Sequence, residues 1–357
     1  MGGSQIAARS LVSSRLAQHV HWVLVDTTSR SVPPPSLPVR ALFAVSRLGA
    51  FVPAVMRSST DATLIFASAN FSFVEKGVMA MISKVAGKPV LMSPRSGAML
   101  ESLARSRLLR WFTRAVLSRC DLVVCQGETW RKFYQDLTGL PDHRLMSIPN
   151  WVSLAEFSSI RPLQLRDGPP VFLYLGWIEE YKGTLDLIHA VHRSRAELGA
   201  ARVVICGRGG AMAEAQRLTE TFGLQEVISF RGWVLGDQKR AVLAESDVLV
   251  LPSHLEGMPN AILEAMATGL PVIATRVGAI PDIVAEGATG LLIDAGDVAA
   301  LAAALVRLAK DPVERLRMGR AAREKIARDN DIEVAWPRIL AALRAVVDDG
   351  RPDVEVG

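Results

Sequence analysis

From residue 171 onward, short apolar runs alternate with segments whose apolar residues recur every three or four positions. The runs at 171–175, 202–206, 227–230, 248–251, 272–274 and 290–293 are the length of strands, and turn-forming residues bound them. Between them, 184–198, 212–222, 238–245, 261–268 and 280–286 carry helical periodicity, and 297–311, 312–328 and 332–347 extend it to the end. Strands separated by helices predict a parallel sheet covered on both faces, because a parallel connection must cross over the sheet.

The first half follows the same grammar less regularly. The pattern predicts helices at 5–18, 72–86, 100–118 and 128–138, and strands at 20–25, 62–66, 89–92, 121–125 and 145–148. Pro33-Pro34-Pro35 interrupts it before further helix. The predicted organisation is a domain at 1–157, a linker at 158–170, a second domain at 171–331 and a C-terminal helix and tail at 332–357. A doubly wound domain ordinarily opens with a strand, whereas this chain passes from Met1-Gly2-Gly3-Ser4 directly into helix. The expectation is that the first strand of the first domain is missing.

Charge divides the chain unevenly. Residues 1–150 hold 18 Lys/Arg and 8 Asp/Glu, a net of +10; residues 151–357 hold 23 and 28, a net of −5. A basic first half suits a phosphate-bearing substrate or an anionic membrane. No zinc finger, homeodomain or RNA-binding aromatic motif argues for nucleic acid. Residues 105–119 lie in a basic amphipathic helix, with Arg107, Arg110 and Arg114 on one face and Leu108, Trp111 and Phe112 on the other. That helix either packs its apolar face on the sheet or meets anionic lipid. No apolar run stands out as a membrane span, and Cys120, Cys125 and Cys206 have no zinc-like spacing, as expected of reduced thiols in a cytoplasmic protein.

The densest chemistry lies in 252–294. Glu256 and Glu264 flank the loop Gly257-Met258-Pro259-Asn260, which follows the strand at 248–251 and opens the helix at 261–268. A helix N-terminus favours an anion, and two nearby carboxylates can hold hydroxyl groups. A phosphate joined to a hydroxyl-rich sugar has both features. Further turns lie at the same predicted edge: Lys182 after the first strand, Gly207-Arg208-Gly209 after the second, Trp233-Val234 after the third and Gly278 to Asp282 after a later one. Lys182 can reach a phosphate, and ligands of open α/β sheets bind at that edge. Gly207-Arg208-Gly209-Gly210 is not the dinucleotide fingerprint. The six histidines show no metal spacing.

Glu256-x7-Glu264, continuing as Glu264-Ala265-Met266-Ala267, Gly269-x-Pro271-Val272-Ile273-Ala274 and Gly278-x-x-Pro281-Asp282, carries a family resemblance. Gly287-x-x-Gly290 and Ile148-Pro149-Asn150 add to it. The chain resembles the GT-B-fold glycosyltransferases of glycosyltransferase family 4, retaining enzymes that need no metal or other cofactor. The resemblance implies two Rossmann-like domains with parallel sheets facing across a cleft and a last helix returning to the first domain. It implies Glu256 on the donor sugar, Glu264 on the ribose, and Lys182 with the loop Gly257-Met258-Pro259-Asn260, through the N–H groups that loop has, on the diphosphate. Gly207, Gly209, Trp233 and Val234 would line the base, and the Gly2-Gly3 turn would face the phosphates. The implied function is hexose transfer from a UDP- or GDP-sugar to a glycan or lipid-linked acceptor in bacterial polysaccharide biosynthesis, at the inner face of the membrane.

Departures from the family pattern bear on the site. Trp177 stands where members commonly have Arg, so Arg208 or another cation would replace that phosphate contact. Ser93-Pro94-Arg95-Ser96-Gly97 stands where many have His, and places Arg95 as a contact for acceptor or phosphate. Trp151-Val152-Ser153 follows Asn150 in place of the usual Gly and terminal Asp. A nucleotide-sugar epimerase of the same fold and a non-catalytic binding protein of that fold are the alternative readings.

Overall fold

The computed structural model describes residues 3–27, 36–160, 163–164 and 167–348. The chain forms two compact units, Met1–Pro149 with Ile332–Gly357, and Asn150–Asp331. The division at Pro149/Asn150 places 150–157 and the expected linker 158–170 with the second unit. The physical reason is local: Asn150 and Val152 bond to Asn330, Met258 and Asn260 of the same unit.

The first unit runs α1 Gly3–Val12, α2 Leu37–Val55, β1 Thr63–Ala67, α3 Phe71–Val85, β2 Val90–Pro94, α4 Ala98–Arg105, α5 Arg107–Leu117, β3 Leu122–Cys125, α6 Glu128–Thr138 and β4 Leu145–Ser147. Its four strands pair in the order β1-β2-β3-β4, all parallel. β2 and β3 are buried at every position, the signature of a parallel strand covered on both faces.

The second unit runs α7 Leu154–Phe157, β5 Val171–Trp177, α8 Thr184–Ser194, β6 Arg202–Arg208, α9 Met212–Thr221, β7 Ile228–Gly232, α10 Gly236–Glu245, β8 Val248–Leu251, α11 Asn260–Thr268, β9 Val272–Thr275, α12 Ile280–Ile283, β10 Gly290–Ile293, α13 Val298–Lys310 and α14 Pro312–Asp329. Its six strands pair in the order β10-β9-β8-β5-β6-β7, all parallel. Strand order reverses between β5 and β8, so the loops leaving these neighbours diverge to opposite faces and open a crevice at their C-terminal ends. The last helix, α15 Ile332–Asp348, belongs to the first unit, where Arg338 donates to the Ser147 carbonyl at 2.8 Å and Trp336 stacks on His19.

One device recurs at the start of a central strand in each unit. Asp121 accepts the Val90 amide at 2.8 Å, and Asp247 accepts the Val171 amide at 2.9 Å. Each aspartate satisfies the leading N–H of the neighbouring parallel strand, a donor that the ladder leaves over. Lys84 neutralises Asp121 at 2.8 Å.

The first unit departs from the sequence reading in several places, and adds to it in one. No strand forms at 20–25; the backbone from Val20 to Thr27 is irregular. The helix expected at 100–118 divides at Ser106, which is extended and accepts the Leu109 amide as the N-cap of α5. The apolar face of α5 is not wholly turned inward. Thr113, Val116 and Leu117 are buried and Phe112 packs edge-on against Phe73, but Leu108 and Trp111 are 75% and 66% exposed. Lastly, 38–55 within α2 is long and apolar enough to cross a membrane by length and composition, and only 17% of it is buried. Arg40 and Arg47 punctuate that stretch and disguise it as an ordinary amphipathic helix.

The three cysteines are buried. Burial pushes the Cys120 and Cys125 thiols up to about 12 and Cys206 up to about 11. The native protein is therefore expected to resist a thiol-specific disulfide reagent at about pH 8 and to release three equivalents only on unfolding. Rapid labelling of the native state would contradict this packing.

Candidate active site

The site forms at the strand-order reversal of the second unit. β5 ends at Trp177, and the chain turns through Glu180–Lys182 into α8. Buried Tyr174 donates its hydroxyl to the Trp177 carbonyl at 2.6 Å and so ties this turn to the strand. β8 ends at Leu251, and Pro252 leads into the Glu256 loop. Here Lys182 Nζ meets Glu256 Oε1 at 2.6 Å, and Ser253 Oγ donates to the same oxygen at 2.9 Å. Two residues separated by 74 positions thus become direct partners. Both are mostly withdrawn from water, with side chains 16% and 8% exposed.

Glu264 lies on α11, buried, and pairs with Lys239 of α10 at 2.7 Å. Burial raises the Glu264 carboxyl above its ordinary value, and the Lys239 charge and hydrogen bond pull it back. Lys239 was invisible in the sequence: it lies in a polar helix with no motif around it, and only the packing of α10 on α11 brings it to Glu264. Ser253 and Asn150 were likewise unassigned.

The Gly257-Met258-Pro259-Asn260 loop is held from several sides. Asn150 Nδ2 donates to the Met258 carbonyl at 2.8 Å and to Asn260 Oδ1 at 3.0 Å, and Asn330 donates to the Asn150 carbonyl at 2.8 Å. The Ala279 amide donates to the Gly257 carbonyl at 2.8 Å. Gly278 has φ +56°, and a Cβ there would strike the Glu256 carbonyl, so the turn after β9 must be glycine to pack against this loop. No side chain caps the N-terminus of α11. That end presents partial positive charge beside Glu256.

The other predicted residues fall as follows. Gly207 and Gly209 bracket the end of β6; a Cβ on either would strike the carbonyl of Gly176 or of Ile178, so close strand approach alone accounts for both. Trp233 and buried Val234 follow β7. Arg208 ends β6, exposed, over the rings of Trp177 and Trp233. Arg95 lies in the first unit after β2, buried over the Phe66 ring, where desolvation lowers its guanidinium to about 9. Gly3 opens α1, and Gly2 lies outside the described residues. His254 bonds to Asp186 at 2.6 Å. Among the described residues no three His, Cys, Asp or Glu side chains gather as a metal site requires.

Residues 169–311 match the family model described as glycosyl transferases group 1. The matched stretch lies wholly within the second unit. WcaL of Escherichia coli K12, whose name as a colanic acid biosynthesis glycosyltransferase is itself provisional, is 28% identical over 235 residues, 64% of this chain and 57% of WcaL. The D-inositol 3-phosphate glycosyltransferase of Corynebacterium efficiens is 38% identical over 160 residues, 43% of this chain and 38% of that protein. The chain spans little more than half the length of the first curated relatives it matches. Among solved structures, sucrose-phosphate synthase from Thermosynechococcus elongatus superposes with TM-score 0.75 at 20% identity, over 96% of this chain and 93% of that one. HepE of Anabaena in complex with UDP superposes with TM-score 0.70 at 18% identity, over 85% and 83%. The chain therefore has the GT-B type of α/β fold, built on two parallel sheets.

Replacing Lys239 by Met would leave a buried carboxylate uncompensated, at a cost of about 3 kcal/mol near neutral pH. Because burial raises the folded-state value of Glu264, its contribution is greatest below the ordinary carboxylate range and falls as pH rises through the raised value. The cost of Lys239→Met is therefore expected to grow between about pH 5 and pH 8, as measured by denaturant unfolding at each. A pH-independent loss would assign the effect to packing and not to charge.

Proposed function

We propose that this chain is a glycosyltransferase that moves a hexose from a UDP- or GDP-sugar to a glycan or lipid-linked acceptor in polysaccharide biosynthesis, with retention and without a metal. The observation that carries this reading is the Lys182–Glu256 contact beside the uncapped start of α11, at the reversal of strand order. Polysaccharide synthesis is the process in the name of WcaL, and UDP is the ligand in the HepE structure.

In this scheme the donor diphosphate takes Lys182 from Glu256, and the backbone N–H groups of Gly257, Met258 and Asn260 receive the remaining phosphate charge. Glu256, released, accepts hydrogen bonds from the sugar hydroxyls, while Glu264 accepts from the ribose. Gly207, Gly209, Trp233 and Val234 border the base. The bond from the anomeric carbon to the phosphate oxygen breaks, and the nucleotide diphosphate leaves with the electron pair. The acceptor oxygen bonds to the same face of that carbon, and its proton passes to a departing phosphate oxygen. Fixed positive groups stabilise the leaving charge in place of a metal. Gly2, Gly3 and Arg95 are the first-unit contacts for phosphate or acceptor in this reading.

The acceptor side is proposed to work at the inner face of a membrane. α5 exposes Leu108 and Trp111 alongside Arg107, Arg110 and Arg114, and contains no acidic residue. α2 of the same unit exposes Leu42, Val45 and Val52, with exposed Met56 just after its end, and also lacks acidic residues. Apolar side chains among cations suit the boundary of an anionic bilayer.

A thermal-shift panel of UDP, GDP, ADP and their sugar conjugates tests the donor class; at 100-fold excess over Kd a ligand adds about 2.7 kcal/mol. Glu264→Ala is expected to weaken binding of the nucleotide itself, and Glu256→Ala to reduce transfer more than nucleotide binding. Wild-type behaviour of both variants would sink these assignments, and donor turnover without acceptor would favour the epimerase. Co-sedimentation with vesicles containing about one-third anionic lipid is expected to fall at least threefold for Leu108→Ser/Trp111→Ser. Equal sedimentation would remove α5 from the membrane contact.

A further inference from the structure

Lys182 and Lys239 are both already engaged by carboxylates at short distance. A diphosphate arriving at this edge must compete for Lys182, and its charge exceeds what that one ammonium can offset. Arg208 is placed differently. It ends β6 in register with Trp177 at the end of β5, and it pairs with no carboxylate among the described residues. Its guanidinium carbon lies 5.3 Å from the centre of the Trp177 ring and 5.1 Å from that of Trp233. The two indoles approach to 4.8 Å with a tilt of 41°.

The third member of the cluster comes from just beyond the edge strand. β6 and β7 pair as Ile205 with Phe230 and then as Cys206 with Gly232, so Arg231 is skipped. Gly232 ends β7 with φ +67°, in the left-handed region, and Trp233, the next residue, stands against Trp177.

Holding a cation on aromatic faces differs from holding it in a salt bridge. A carboxylate partner orients a guanidinium but spends its charge and donors. An indole face attracts the cation within about 6 Å and leaves the guanidinium edge, with its paired N–H groups, unspent. That edge suits two oxygens of one phosphate group.

We infer that Trp177 and Trp233 are positioning residues for Arg208, and that the three together form a strand-end phosphate clamp that grips the nucleotide diphosphate from β6. The inference rests on the nucleotide-sugar reading above. In it, Trp177 is a functional residue and not the loss of one: the indole stores the cation on the neighbouring strand.

The test compares nucleoside, monophosphate and diphosphate of the base selected by the thermal-shift panel, each titrated calorimetrically into the full chain. Arg208→Gln is expected to weaken the diphosphate at least about tenfold and to leave the nucleoside within about twofold. Trp177→Leu is expected to weaken the diphosphate about threefold or more, and Trp177→Phe to restore most of that loss, since a phenyl face still holds a cation. Arg208 is exposed, so its variant keeps the fold and isolates the charge. Wild-type diphosphate affinity in Arg208→Gln would overturn the inference and leave the nucleotide-sugar reading standing. Equal loss of nucleoside and diphosphate would overturn it also, making Arg208 a base contact, and an unaltered Trp177→Leu would remove the indoles from the role. Failure of the wild-type chain to bind any nucleotide would overturn both readings.

Discussion

Glu256 and Glu264 are carboxylates taken largely out of water, and neither could be held there without a cation. Removing a carboxylate from solvent costs several kcal/mol even after the protein relaxes, so each needs a partner with good geometry. Lys182 and Lys239 supply these partners from other elements, one from the turn after β5 and one from α10. The arrangement around the site follows from this requirement. The β5 turn is tied down by Tyr174, the 257–260 loop by Asn150 and Asn330, and the Glu256 carboxylate by Ser253 as well as by lysine. A paired carboxylate is also one that can be released: in the proposed reading, the diphosphate draws Lys182 away and frees Glu256 to accept hydroxyl hydrogen bonds.

The two units share a way of making sheet and differ in what the sheet offers. Both start a buried parallel strand by letting a neighbouring aspartate satisfy its first amide, Asp121 in one and Asp247 in the other. In the first unit the described strands pair in chain order, whereas in the second the order reverses beside β5. The reversal parts the connections on either side of β5 and β8, and the charged side chains gather at that gap. The first unit shows another character at its surface. α2 and α5 leave large apolar side chains in solvent among arginines that have no acidic neighbour on the same helix.

Much of the second unit was legible in the chain. Strand-length apolar runs and helical periodicity placed each strand from β5 to β10 within a few residues, because a parallel strand buried on both faces must be apolar throughout. The first unit was harder to read. The run at 20–25 has a strand's composition yet pairs with nothing among the described residues, and a strand exists only through its partner. Ser106 looked like one polar residue in a long helix; it became a cap because its side chain reached the Leu109 amide. Leu108 and Trp111 carried the helical spacing of a packed face, but periodicity records which residues share a face and not what covers it.

The sequence by itself determined the match of 169–311 to the group 1 glycosyl transferase model, the alternation of strand and helix, and the Glu256 loop with its glycine and proline landmarks, since these depend on residues close together in the chain. Tertiary structure alone decided which cation meets which carboxylate. It joined Lys182 to Glu256 and Lys239 to Glu264, and it set Arg208 between two indoles that come from different strands. Those contacts depend on strand order, on the turn at Gly232 that ends β7 and on the packing of α10 against α11. An ion pair has no periodicity: its energy depends on a separation of a few ångströms between side chains, and only the folded chain sets that separation.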